Sequence, residues 1–257
     1  MEAMIEQLYE PLVSEGRRLL SGHPTMVALL DPHMDPKVLE RFLIQFCAMG
    51  AQMTEPVESW IRRAGERTRP LSGLERVGEL LTQHAKHEAG HHLMLIADAR
   101  SLAKSWNARH AQPLDVEALL ASPVTPAIAR YIELHESTIE SDMPYGQVAI
   151  ELEIERMSMS FGPQQIALCK RLLGPEIMKC LSFIEEHVDL DVGHTAYNSR
   201  LMSMLLEKHP DAAPRLARLG IRAIETYIEF FGECLAVAQR EAPARRGTHG
   251  EVVAGSL

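Results

Sequence analysis

Apolar residues recur three and four positions apart along almost the whole chain, the period of an amphipathic helix rather than of a strand. On this reading residues 2–20 form a first helix that tolerates or kinks at Pro11, and Gly22-His23-Pro24 ends it. A short helical turn near 25–30 stops at Asp31-Pro32. Asp35-Pro36 reads as a helix start, because an acid caps free N–H groups and proline lacks an N–H where none is needed. The helix it opens runs to about Thr68, with a bend at Pro56. After the loop Arg69-Pro70-Leu71-Ser72-Gly73, one long helix is expected over 73–106. Between 107 and 125 the pattern is mixed, with a short helix between Pro113 and Pro123. Further helices are expected over 126–141, 145–160, 163–173, 175–208 and 212–240. The breaks between them are Asp142-Met143-Pro144, Phe161-Gly162-Pro163, Gly174-Pro175 and His209-Pro210. No segment alternates as a strand would, and no repeat is present. The expectation is one all-α helical domain over 1–240, a bundle of about seven long helices. Residues 241–257, where Pro, Gly and Ser replace the apolar period, are expected to be a disordered tail.

Composition supports this class. Apolar residues make up 46% and charged residues 24%, the mix of a soluble globular protein, and aromatics only 5%, which favours helices over strands. A net charge of −9 opposes binding to nucleic acid or to anionic lipid. No apolar run is long enough for a transmembrane helix, and the acidic start Met1-Glu2-Ala3-Met4-Ile5-Glu6 is no signal peptide. The cysteines Cys47, Cys169, Cys180 and Cys234 form no CxxC pair, so free thiols in a cytoplasmic protein are expected. What changes the picture is 12 His beside only 26 Lys and Arg, because half of these histidines fall in two short stretches.

The first stretch is His84-Ala85-Lys86-His87-Glu88-Ala89-Gly90-His91-His92, inside the expected 73–106 helix. His84, Glu88 and His91 would share an arc of about 60°. Glu88 and His91, at i and i+3, would converge on one point, the Glu-x-x-His spacing with which two-metal carboxylate bundles hold iron. The second stretch is His187-Val188-Asp189-Leu190-Asp191-Val192-Gly193-His194, in which His187, Asp191 and His194 share a face at i, i+4 and i+7. Two imidazoles and a carboxylate suit Fe, Mn or Zn. The third element is Glu151-Leu152-Glu153-Ile154-Glu155. Glu151 and Glu155 lie on a largely apolar face, where a carboxylate is costly unless it meets a cation. Glu155 is the preferred inward ligand and Glu151 the second. Each pattern alone also fits a solvated helix face. Together, Glu88, His91, Glu155, His187, Asp191 and His194 offer three carboxylates and three imidazoles from three helices, a donor set for two irons with vacant positions for O2. Mn could replace one iron. His84, His87 and His92 are alternative ligands. Tyr145, Met159 and Phe161 are candidates for an apolar substrate pocket. Arg156 is a candidate for a substrate carboxylate, with solvent exposure favoured.

The order of these motifs, E-x-x-H, a lone helical Glu, then H-x-x-x-D-x-x-H, resembles the heme-oxygenase-like di-iron oxidases and oxygenases. That superfamily includes thiaminase II and pyrroloquinoline quinone synthase. Glu88-Ala89-Gly90-His91-His92 is similar to the family's E-x-G-H helix, and His187–His194 to its H-x-x-L-D-x-x-H helix. The 32 residues from Glu155 to His187 match the family's separation, which favours Glu155 over Glu151. The resemblance implies a seven-helix heme-oxygenase-like bundle and O2 activation at a non-heme di-iron centre. It also implies oxidation of an amine, an amino acid or a fatty acid in a biosynthetic pathway, with an external electron donor where needed. Some members recruit a further acid from an earlier helix, for which Glu55 and Glu58 are the candidates here. Two other readings remain at this point. A metal-independent enzyme like thiaminase II or the quinone synthase would need a nucleophile such as Cys169. A non-enzymatic iron-binding protein would need only the cluster. The apolar faces of 212–240, with Ile221, Ala223, Ile224, Tyr227, Ile228 and Phe231, could pair with a second copy or pack within the chain.

Overall fold

The computed structural model describes residues 2–241, with the backbone alone at Glu2 and over 189–192. The expected tail over 241–257 therefore lies, apart from Glu241, outside the described residues. Helix α1 (Glu2–Met4) passes through a π-helical stretch at Ile5–Tyr9 into α2 (Glu10–Ser21). The wider turn falls just ahead of Pro11, whose ring and missing N–H would disrupt a regular α-helical turn. Helix α3 (Pro24–Leu29) starts with the His23 ring nitrogen Nδ1 accepting from Thr25 N at 3.2 Å. Asp35 accepts from Lys37 N at 2.8 Å and opens α4 (Pro36–Thr54), and α5 (Val57–Thr68) follows after a break at Pro56. Then come α6 (Glu75–His84), α7 (His91–Arg109), α8 (Val116–Leu120), α9 (Pro126–Glu140), α10 (Gln147–Leu173), α11 (Ser182–Lys208) and α12 (Ala213–Glu241). No strand occurs among the described residues.

Three expectations are corrected. The single helix over 73–106 is two helices, α6 and α7, joined by a 3-10 turn at Ala85–His87 and a bend at Glu88–Gly90. Gly90, with φ +88°, makes the bend possible, since a side chain there would be strained. In the other direction, the expected break at Phe161-Gly162-Pro163 is absent, and α10 runs through Pro163. A Cβ on Gly162 would lie 2.6 Å from Val188 Cγ2, so α10 and α11 are pressed together there, and this packing outweighs the lost hydrogen bond of Pro163. Finally, Pro175 opens a 3-10 helix (Pro175–Cys180), and α11 starts only at Ser182, after Leu181 leaves helical geometry at φ −130°, ψ 40°.

Two buried apolar clusters hold the bundle. The larger joins α4, α7, α9 and α12 around Phe42, Phe46, Phe230 and Phe231. The smaller joins α2, α6, α10 and α11 around Leu81, Leu152, Leu201 and Leu205. The apolar residues Ala223, Ile224, Ile228 and Phe231 of α12 are buried within the chain itself. Helices α5 and α6 cross in backbone contact at Gly65 and Gly78.

The start of α11 is held from another helix. Asp98 of α7, itself buried, accepts from Ser182 Oγ at 2.8 Å and from Phe183 N at 2.9 Å. It satisfies one of the N–H groups that a helix start leaves free and places a negative charge at the positive end of α11. Asp98→Ala should cost about 2 kcal/mol of stability, read from urea unfolding. A loss below about 0.5 kcal/mol would mean that water replaces this cap.

Candidate metal centre

The α6–α7 bend, the middle of α10 and the first half of α11 meet where the two apolar clusters join. The bend matters to the chemistry. Glu88 and His91 are not stacked on a helix face as their spacing suggested. Glu88 lies in the bend and His91 at the first turn of α7. Their side chains still meet, with His91 Nδ1 2.9 Å from Glu88 Oε2. On the other side of the same carboxylate, His194 Nδ1 lies 3.2 Å from Glu88 Oε1 and 3.9 Å from Glu155 Oε1. His84 Nε2 lies 3.7 Å from Glu155 Oε1, and the rings of His91 and His187 are 4.7 Å apart.

Three overlapping sets of donor atoms lie within 4.8 Å of one another: Glu88, His91 and His187; His84, Glu88 and Glu155; and His84, His87 and His194. Glu88 belongs to two of the sets, and its two oxygens meet different imidazoles, Oε2 that of His91 and Oε1 that of His194. The donors are imidazoles and carboxylates without thiolate, a set that suits iron or manganese. His84 Nδ1 is buried and has no hydrogen-bond partner. The residues present therefore fit a pair of hard metal ions.

The supporting contacts orient these donors. His187 Nδ1 donates to Phe183 O at 2.8 Å, which leaves Nε2 for the cluster. Asn198 Nδ2 donates to Glu155 Oε1 at 2.9 Å and lies 3.3 Å from His84 Nε2. Such contacts fix ring tautomer and carboxylate direction in metal sites. Burial pushes the imidazoles of His84 and His187 down to about 4 and also lowers that of His194. All three are neutral near pH 7, the form that binds metal. Burial works against the Glu88 carboxylate, but the contact with His91 and the nearby imidazoles win and bring it down to about 2.

Of the six residues singled out in sequence, Glu88, His91, Glu155, His187 and His194 come together here. The side chain of Asp191 lies outside the described residues. His84, only an alternative in sequence, shares two of the donor sets, and exposed His87 shares one at the surface edge. His92 is in none of the sets among the described residues. Glu55 is exposed at the end of α4, and Glu58 pairs with Arg62 at 3.3 Å. Asn198 escaped sequence reading, although it continues the 187–191–194 face by one further turn. Arg156 is tied to Glu10 at 2.7 Å, beside the half-buried Arg17, whose Nη2 donates at 2.7 Å to the buried Glu153, and takes no part in the cluster.

An elongated cavity of about 130 Å³ opens from the cluster, with Glu88, Glu155 and His187 on one wall. Aromatic rings, among them Phe46, Phe161 and Phe231, line the rest together with aliphatic and sulfur-bearing side chains such as Ile154, Ile184, Met53 and Met157. Phe161 is thus a lining residue as expected. Tyr145 and Met159 are not: Tyr145 stacks on His209, and Met159 Sδ accepts from Thr195 Oγ1 at 3.2 Å. Sequence had passed over His135, which is fully buried and stacked on Trp60 at 4.1 Å between ring centres. Burial pushes its imidazole down to about 3. Below about pH 6.5 the unfolded chain binds a proton that folded His135 refuses, so stability falls as pH drops from there towards 3. Urea unfolding of the metal-free protein between pH 7 and pH 5 should show this slope. His135→Gln should reduce the slope without abolishing it, because the imidazoles of His84 and His187 are also lowered by burial, and an unchanged slope would assign the whole effect to those.

No known family profile matches the chain, and no curated protein matches it in sequence. Several solved structures match its shape, two of which are described. One is a domain of unknown function with a heme oxygenase-like fold from Shewanella denitrificans OS217, at TM-score 0.69 and 16% identity, covering 91% of this chain and 94% of that one. The other is a TenA homolog from Pseudomonas syringae pv. tomato str. DC3000, at TM-score 0.68 and 15% identity, covering 91% and 93%. With an all-helical bundle that overlaps these structures over nearly the whole length, the chain has the heme-oxygenase-like fold.

Proposed function

We propose that this protein is a non-heme di-iron enzyme that activates O2 and oxidises a small molecule held in the adjoining cavity. The observation that carries this reading is the position of Glu88, shared between two sets of donor atoms at the polar wall of an apolar cavity. Glu88, His91 and His187 would hold one metal; Glu88, Glu155, His84 and His194 would hold the other, with Asp191 a further ligand. Two irons bound there supply O2 activation and one-electron steps at the cavity wall. Mn in one position is compatible with the same donors.

The chain's own residues do the rest. Phe183 O keeps the proton of His187 on Nδ1, and Asn198 steers Glu155. The aromatic walls exclude water from the reacting end, which strengthens every charge interaction inside. Reducing equivalents would come from an external donor, and the substrate would be small.

The TenA homolog raises a metal-independent alternative. Such a reaction through a thiol needs a reactive thiolate, and burial raises all four cysteines here, Cys169 to about 12. Rapid mixing of the Fe(II)-loaded protein with O2 tests the proposal. O2 uptake with a transient optical change, faster with one class of small molecule, is expected. No O2 uptake by the iron-loaded protein would overturn it, and iron uptake without any coupled product would favour storage.

A further inference from the structure

One of the three donor sets carries no carboxylate. It consists of the imidazoles of His84, His87 and His194, with their ligand atoms within 4.8 Å of one another. The proposed pair of irons uses His84 and His194 and leaves His87 without a role. The bend after α6 explains how the set arises. His84 ends α6, and Ala85–His87 turn as a 3-10 helix. With three residues per turn, side chains at i and i+3 eclipse one another. His84 and His87 are thereby brought into line, with ring centres 6.1 Å apart, where a continued α-helix would splay them. From α11 the ring of His194 completes a triangle, 5.1 Å from that of His84 and 5.9 Å from that of His87.

The triangle runs from the interior to the surface. His84 is fully buried, and its Nδ1 has no hydrogen-bond partner. Its ring is stacked on Tyr197 at 5.3 Å, and Tyr197 Oη donates to Leu80 O at 2.8 Å, so the imidazole is held from behind. His194 is half-buried and His87 exposed. An ion among the three would keep a side open to water, as zinc sites with three protein ligands do. Imidazoles without carboxylate suit Zn(II), Cu(II) or Ni(II), and at one set of nitrogens Zn(II) binds more tightly than Fe(II). The same rings also meet the inner carboxylates: His194 Nδ1 lies 3.2 Å from Glu88 Oε1, and His84 Nε2 lies 3.7 Å from Glu155 Oε1. Two positions therefore share His84 and His194, an inner one with carboxylates and an outer one with His87. An ion in one takes donors from the other.

We propose that His84, His87 and His194 form a second kind of metal site, for a borderline divalent cation of which Zn(II) is the probe, and that an ion held there keeps the second iron out of the cluster. This deepens the proposed function and rests on it only for the exclusion of iron. The three-imidazole site itself stands on the histidines. Zinc would act as an off switch, because the iron at Glu88, His91 and His187 would lose its neighbour.

Protein loaded anaerobically with Fe(II) and titrated with Zn(II) should release about one iron per zinc bound and keep the other. X-ray absorption at the zinc edge should show the three imidazoles of the set around that zinc. His87→Ala, at an exposed position, should still take up both irons, while about tenfold or more zinc is needed to release one. His92→Ala, a neighbouring histidine in none of the sets among the described residues, should behave as the wild type. Zinc with fewer imidazoles around it would overturn the proposal. So would zinc that releases both irons or neither, or a release that His87→Ala leaves unchanged. Loss of iron from His87→Ala would overturn it as well, by making His87 an iron ligand. If the wild type takes up no iron, the di-iron reading fails by itself. The imidazoles around zinc in the metal-free protein, and the weaker zinc binding of His87→Ala, then still decide the three-histidine site.

Discussion

Glu88→Ala is expected to strip both metals from the protein, not one. Glu88 Oε2 lies 2.9 Å from His91 and Oε1 lies 3.2 Å from His194, so the carboxylate spans the two halves of the cluster. Without it, the His91 and His187 side keeps two imidazoles and no carboxylate, and the His84 side keeps Glu155 as its one remaining carboxylate and loses the link to its neighbour. His187→Ala, by contrast, removes a donor from one set only and should leave the metal on the His84 side. Metal analysis after anaerobic loading should give about two ions for the wild type, near none for Glu88→Ala and about one for His187→Ala. Retention of both ions by Glu88→Ala, with helix content unchanged, would show that Glu88 does not bridge them.

The second large effect is on folding. At Gly78 an added Cβ would lie 2.4 Å from Arg69 N, 2.7 Å from Arg69 Cα and 2.7 Å from Gly65 O. These are backbone atoms, which cannot rotate away as a side-chain end can, so α5 and α6 must move apart. Gly78→Ala should therefore cost about 3 kcal/mol or more, even though alanine favours a helix. The displacement would also be felt at the metal site, because α6 ends six residues later at His84. Chemical denaturation reads the first effect and metal content the second. A cost under about 1 kcal/mol would mean that the two helices separate easily.

Sequence made the helices legible wherever one apolar face repeats, as in α4, α9 and α12. It failed where packing and local polarity oppose each other. At Glu88–Gly90 the apolar period continues through a bend whose only local sign is Gly90. At Pro163 a strong local break signal yields to the close fit of Gly162 against Val188. Neither outcome follows from propensity, since each depends on what lies across the interface. The cluster was legible for a related reason. Histidines and acids at helical spacing are conspicuous against an apolar stripe, which picked out Glu88, His91, Glu155, His187 and His194. His84 was harder to place, because a straight helix puts it on the same face as Glu88 without saying which carboxylate it meets. The bend answers that by turning His84 towards Glu155. The cavity was the least legible part. Phe161 was found, but Tyr145 and Met159 face other partners, and the walls contributed by α4 and α12 are far away in sequence.

The most direct test of the paired site is Mössbauer spectroscopy on protein loaded anaerobically with isotopically enriched Fe(II) and then exposed to O2. The account predicts about two irons per chain that become spin-coupled to each other after exposure. A single iron, or two irons that remain magnetically independent, would contradict it.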